Sequence, residues 1–137
     1  MTRFYEEDKL QIYVVDWLKN ACPHLLFTHA ANQGRSPQEG AKLKKMGVLA
    51  GTPDLLFWHD GWHGAIELKV ATGLSDAQRA FRDRFIATGG KYAVCHSVMA
   101  VRDMLISWGI RPLAAILKEP PPPKSVQFKM GVDFFKP

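Results

Sequence analysis

Cysteine is scarce: Cys22 and Cys95 are the only two. That is too few for a disulfide framework, and neither sits in a CxxC pair. Long apolar runs are also missing, with nothing near the ~18 residues of a membrane span. The N-terminal MTRFYEEDKLQIYVVDWLK carries acids where a secretory signal carries bases. A reducing, cytoplasmic setting, in a bacterium or a phage-infected host cell, is therefore expected, with no membrane partner. Acidic groups are the next shortage: 13 Asp and Glu face 18 Lys and Arg, a formal charge of +5. This balance favours polyanionic partners without naming one. Internal repeats are absent. GRSPQEGAK, residues 34–42, has neither the spacing nor the GK[ST] of a phosphate-binding loop. Cys22, His24, Cys95 and His96 would form a zinc site only if two distant pairs converged, and buried thiols with surface imidazoles are the commoner outcome.

What is present fits one domain: 137 residues, 47% of them apolar, enough to fill a single core. We expect that domain over residues 1–110, with 111–137 as an extension containing a proline run at 120–123 in polyproline-type chain. In residues 4–19, Leu10, Val14, Trp17 and Leu18 recur at helical spacing. Glu7 falls on or beside that apolar face, an awkward place for an unpartnered carboxylate, whereas Glu6 points toward solvent. Residues 24–30 read as a strand. The stretch after Asn32 holds Arg35, Lys42, Lys44 and Lys45 against Glu39, and reads as a loop with a turn or two of helix over 37–46. Ser75 opens a helix with Ala77, Ala80, Phe81 and Phe85 on its inner side, ending at Gly89-Gly90. A strand over 91–96 and a helix over 98–108 follow. This order predicts an α/β sandwich.

Between these elements, PDLLFWH and WHGAIELKV flank Asp60-Gly61, the dipeptide favoured by a type I′ hairpin turn. Counting outward from a two-residue loop sets Trp58 against His63, Leu56 against Ala65, and Asp54 against Glu67. Two carboxylates then stand face to face. Alternation places Lys69 beside Glu67 on the same side, while Leu55, Phe57, Ile66 and Leu68 point to the other. Like charges opposite one another on a sheet destabilise it unless something occupies the gap. A hard divalent cation answers that need, and Lys69 could hold a phosphate or an attacking water. The plainer reading is a salt-bridged strand in which Lys69 offsets Glu67 and Asp54 caps a turn after Pro53.

Gly51-Thr52-Pro53-Asp54, Glu67-Leu68-Lys69 and Leu74-Ser75-Asp76-Ala77-Gln78 together resemble the PD-(D/E)xK nuclease superfamily, and more narrowly its VRR-NUC (virus-type replication-repair nuclease) branch. The likeness runs from about Glu7 to Met104. It implies a restriction-endonuclease-like sandwich with a central mixed β-sheet flanked by helices. It also implies that Asp54, Glu67, the backbone carbonyl of Leu68 and Glu7 hold Mg²⁺ or Mn²⁺. By the same resemblance Lys69 positions water, and Gln78 belongs to the catalytic set. Glu7 competes with its neighbour Glu6, separated only by helical phase. Gln78 has a local explanation as well, since Ser75-x-x-Gln78 is a capping box.

Arg79 and Arg82 are candidate phosphate contacts, although Arg79 and Asp83 are also spaced as an i,i+4 pair. Asn32, Arg35, Lys42, Lys44 and Lys45 are candidate DNA contacts, with a simple Asn turn as the alternative for Asn32. The resemblance implies a metal-dependent DNA endonuclease. Within that class the expectation is a four-way-junction resolvase acting as a homodimer on branched DNA. Alternatives are a flap or other branched-DNA nuclease, a restriction-type endonuclease, and a non-catalytic DNA-binding module.

Overall fold

In the computed structural model, which describes residues 2–30 and 36–122, four strands form one sheet with helices on both faces. The chain order is α1 (Thr2–Ala21), β1 (Leu26–His29), α2 (Pro37–Lys45), β2 (Leu55–His59), β3 (Trp62–Leu68), α3 (Asp76–Ala87), β4 (Lys91–Cys95) and α4 (Val98–Ser107). The strands lie in sequence order: β1 and β2 antiparallel, β2 and β3 antiparallel, β3 and β4 parallel. The sheet is thus mixed, and the fold is the expected α/β sandwich. The tail residues Phe128, Phe134 and Phe135, and the site candidates Asn32 and Arg35, lie outside the described residues.

The hairpin turn follows from its two residues. Asp60 and Gly61 have φ of 43° and 83°, the left-handed pair that a type I′ turn requires and that Asp-Gly adopts at low strain. The register is the one counted from the sequence: His59 faces Trp62, Trp58 faces His63, Leu56 faces Ala65 and Leu55 faces Ile66. One face of β2 and β3 is consequently apolar. Leu55, Phe57, Ile66 and Leu68 are all buried there.

α1 and α4 cover that face with Leu10, Val14, Trp17 and Leu18 from one and Val98, Val101 and Leu105 from the other. Burial of each such side chain stabilises the fold by ~1.5–3 kcal/mol, so the phase of α1 is fixed by four large residues, and the direction of Glu7 with it. No helix among the described residues is long and apolar enough to cross a membrane.

α3 packs on the opposite face through Phe81 and Phe85, whose rings stack on each other, and Phe85 meets Tyr92 and His63 edge-on. Its inner stripe differs from the expected one. Ala77 and Ala80 are exposed, and Gln78, Phe81, Arg82 and Phe85 are the partly buried positions. Those four are spaced by three and four residues, so the stripe is a proper helical one rotated by one residue. The aromatic rings and the Gln78 amide determine the rotation, not the small alanines. Arg79 bonds to the Asp76 carboxylate and the Leu74 carbonyl, while Arg82 pairs with Asp83. The Arg79–Asp83 pairing does not form.

Beyond α4 the chain doubles back onto the domain. The Leu113 N–H donates to the Ala21 carbonyl at 2.7 Å, and Ala115 and Leu117 pack against the core. The carboxylate of Glu119 accepts from the N–H groups of Val98 and Met99 at 2.8 and 2.7 Å, closing the start of α4.

Candidate active site

Glu67 sits on β3, the strand paired on both sides, and is only 4% exposed. Asp54 precedes the first residue of β2, at the end of the Gly51–Pro53 turn. The two carboxylates interlock with each other's backbone. The Asp54 N–H donates to Glu67 Oε2 at 3.3 Å, and the Leu68 N–H donates to Asp54 Oδ2 at 2.8 Å. The face-to-face acids read from the hairpin are therefore present.

Their environment resists charge. Burial, opposed by hydrogen bonds from Leu68 and Glu67 and by the charges of His29 and Lys69, raises Asp54 above the usual carboxylate range. Burial and the neighbouring charge of Asp54 push Glu67 up to about 8, against a lowering pull from Lys69. Without a cation the pair thus keeps a proton near neutrality, as two acids forced together must. Lys69, 8% exposed, follows Leu68 at the same end of β3 and is held there by its N–H to the Cys95 carbonyl.

A cavity of about 850 Å³ opens beside these groups, between α1 and the end of the sheet, lined among others by Glu7, His29, Asp54, Glu67, Lys69 and Gln78. Of the two candidate acids on α1, Glu7 lines it and Glu6 does not. Glu7 Oε1 is buried without a hydrogen-bond partner, a costly state for a carboxylate oxygen. Gln78 forms the expected capping box and also reaches Glu67. Its Oε1 accepts from the Ser75 N–H at 2.8 Å in a complete capping box, and its Nε2 donates to Glu67 Oε1 at 2.9 Å.

The proposed DNA contacts among the described residues stand apart from this group. Lys42, Lys44 and Lys45 are exposed on α2, and neither they nor Arg79 and Arg82 line the cavity. Cys22 and Cys95 are buried free thiols, each pushed up to about 11 by burial, and they do not join the histidines in a zinc site.

Two residues at the site escaped the sequence reading. His29, at the end of β1, approaches the Asp54 carbonyl with Nδ1 at 2.8 Å. Tyr92, paired with Ala65 on β4, has a buried hydroxyl without a partner and is pushed up to about 12 by burial and then by the charge of Glu67. Neither has a spacing signal, because strand pairing alone brings them there.

The model of the VRR-NUC domain matches residues 4–99 of this chain. The chain belongs to the VRR-NUC family. A VRR-NUC domain is a nuclease domain of the PD-(D/E)xK type, which acts on DNA and generally employs divalent metals. The three motif elements, Asp54 with its turn, Glu67-Leu68-Lys69 and the helix of Gln78, all lie inside the matched span. A solved structure described as a "VRR_NUC domain protein" superposes with a TM-score of 0.59 at 23% identity, over 73% of this chain and 84% of that one, and shows the VRR-NUC fold. A search of curated proteins found no match.

A divalent cation fits the residues present. The donors are hard oxygens, burial raises both acids of the pair, and Glu7, with an unsatisfied buried oxygen, lines the same cavity. Among the described residues no three His, Cys, Asp or Glu side chains are grouped closely enough to hold a metal ion by themselves. The site is two interlocked acids with further donors around the cavity.

Proposed function

We propose that this protein is a Mg²⁺- or Mn²⁺-dependent, structure-specific DNA endonuclease that resolves four-way junctions as a homodimer. The observation that carries the metal-dependent chemistry is the interlocked pair of part-buried Asp54 and buried Glu67, with buried Lys69 on the same open cavity.

In this reading residues 1–110 are the nuclease domain and 111–137 an extension. Asp54, Glu67, the Leu68 carbonyl and Glu7 hold the cation. When bound, the ion supplies Lewis acidity that lowers the pKa of water and offsets charge gathering on the phosphate. Lys69 orients the attacking water and the scissile phosphate. Gln78 fixes the Glu67 carboxylate by donating to Oε1, while the Asp54 N–H donates to Oε2. In-line attack leaves a 5′-phosphate and a 3′-hydroxyl. Asn32, Arg35, Lys42, Lys44, Lys45, Arg79 and Arg82 contact the DNA.

Junction resolution requires two symmetric cuts, and one chain offers a single carboxylate pair among its described residues. A two-fold pair of chains matches the two-fold symmetry of the junction. End-labelled four-way junction, flap, splayed arm, duplex and single strand, each with Mg²⁺, Mn²⁺ or EDTA, test this directly. Paired, metal-dependent incisions in the junction are expected. Preferential cutting of flaps selects the branched-DNA alternative, sequence-dependent cutting of plain duplex selects a restriction-type enzyme, and binding without cutting selects a non-catalytic module. Replacing Asp54 or Lys69 with Ala is expected to abolish nicking while leaving the circular dichroism spectrum unchanged; full activity in both variants removes the proposal.

A further inference from the structure

The acid pair is positioned by an element outside the PD, ExK and capping-box motifs. β1 runs antiparallel to β2 with His29 opposite Leu55, and its continuation brings the Ala30 N–H to the Asp54 carbonyl at 3.2 Å. That same carbonyl lies 2.8 Å from His29 Nδ1. A carbonyl oxygen only accepts, so Nδ1 must carry the hydrogen and donate it. Both lone pairs of the Asp54 oxygen are then engaged, one by backbone and one by the imidazole.

The second bond matters because of where Asp54 lies. The β2–β3 ladder begins at Leu55, so the Asp54 peptide lies past its last paired rung, next to the Gly51–Pro53 turn. Without a second donor the Asp54 carbonyl is held by the Ala30 N–H alone, and a looser peptide would let the carboxylate shift away from Glu67 and from the Leu68 N–H. His29 holds it from the cavity side, since its own ring lines the cavity.

We propose that His29 is a positioning residue of the active site: its Nδ1–H···O=C bond fixes the Asp54 peptide so that the carboxylate is presented to the cation. The effect reaches the cation through main chain, not through coordination by the imidazole. This inference rests on the reading of Asp54 as a metal ligand.

The two nitrogens can be separated by substitution. In His29→Asn the side-chain amide nitrogen stands about where Nδ1 stands, in His29→Gln it stands about where Nε2 stands, and His29→Ala has neither. Mn²⁺ binding to the DNA-free protein, followed by electron paramagnetic resonance at pH 8, gives a readout independent of cleavage; nicking of a four-way junction gives a second. Loss of a group supporting a metal ligand typically costs 10–100-fold in affinity or activity. A loss on the order of tenfold or more is expected in both readouts for His29→Ala and His29→Gln, with His29→Asn within about threefold of the parent. Long-range proton–nitrogen correlation spectra should show Nδ1 of His29, and not Nε2 alone, carrying hydrogen.

Three outcomes would each overturn the inference: parent-like Mn²⁺ binding in all three variants, rescue by Gln but not Asn, or a hydrogen on Nε2 alone. Should the Ala variant fail to fold, the Asn and Gln pair still decides. Asp54→Asn separates the two levels of argument. If it binds Mn²⁺ like the parent, Asp54 is not a ligand and the underlying reading fails. If it loses Mn²⁺ while the His29 variants do not, only the positioning role fails.

Discussion

Glu67 illustrates how a single residue ties catalysis to stability. Its carboxyl is raised from 4.5 to about 8, first by burial and then by Asp54. Between those two values the folded chain retains a proton that the unfolded chain has released, so stability must fall as pH rises through that window. Metal-free protein is accordingly expected to lose up to about 4 kcal/mol between pH 5 and pH 8.5, and Glu67→Gln should flatten the dependence. Urea denaturation in EDTA across that range measures it. A divalent cation does the proton's work of neutralising the pair, so added Mn²⁺ should restore stability mainly at the alkaline end. Unchanged stability across the range would mean that Asp54 and Glu67 are not jammed together as described.

Gly51 is a second residue with a single reason for its identity. Its φ is 81°, and a Cβ there would overlap the Ala77 carbonyl in the first turn of α3. The turn that delivers Asp54 thus lies directly on the helix that delivers Gln78. Gly51→Ala is expected to destabilise by at least ~2 kcal/mol, and to depress nicking further by spreading the two elements apart. Thermal unfolding and a nicking assay on the same preparation separate the two effects.

At the scale of elements, the β2–β3 hairpin and α3 show what can and cannot be read from residue order. Asp60-Gly61 dictates a turn type, the turn type dictates register, and register places Asp54 against Glu67, so this part of the site was legible without coordinates. The phase of α3 was not, because Ala77 and Ala80 fit an apolar stripe as well as Gln78 and Arg82 fit a polar one. What resolved it was the stack of Phe81 on Phe85 against Tyr92. His29 was invisible for a different reason: 25 residues separate it from Asp54, with no tight turn from which to count. Glu7 stood between the two, since Leu10, Val14, Trp17 and Leu18 gave the helix phase but not the cavity it faces.

α3 also permits a clean separation of cap from chemistry. Ser75→Ala removes only the N-cap and is expected to cost about 1 kcal/mol with little change in nicking. Gln78→Ala removes the return half of the box and frees Glu67 Oε1, so it should lower nicking by considerably more than its loss of stability explains. Equal effects of both variants on activity would reduce Gln78 to a structural role.

At the scale of the whole molecule, the proposed function combines a net charge of +5 with lysines clustered at the end of α2, and predicts that binding is an ionic event. Junction affinity is expected to fall linearly on a log–log plot against salt, with a slope reporting the number of phosphates engaged. Lys44→Gln together with Lys45→Gln should reduce that slope by about two and leave the single-turnover rate on saturating DNA intact. A flat salt response counts against α2 as a DNA contact. Light scattering with and without junction DNA tests the two-fold assembly, and a monomer in both states counts against it.

The Glu119 carboxylate, seated on the first N–H groups of α4, bears on how the protein can be trimmed. A polypeptide cut before that position leaves two donors at the head of the helix without their acceptor, at ~1–3 kcal/mol for each one left dry. It also loses the Leu113 link to Ala21. Failure of such a fragment to cut DNA would therefore diagnose a loosened scaffold, and any minimal enzyme meant for kinetic comparison has to extend past Glu119.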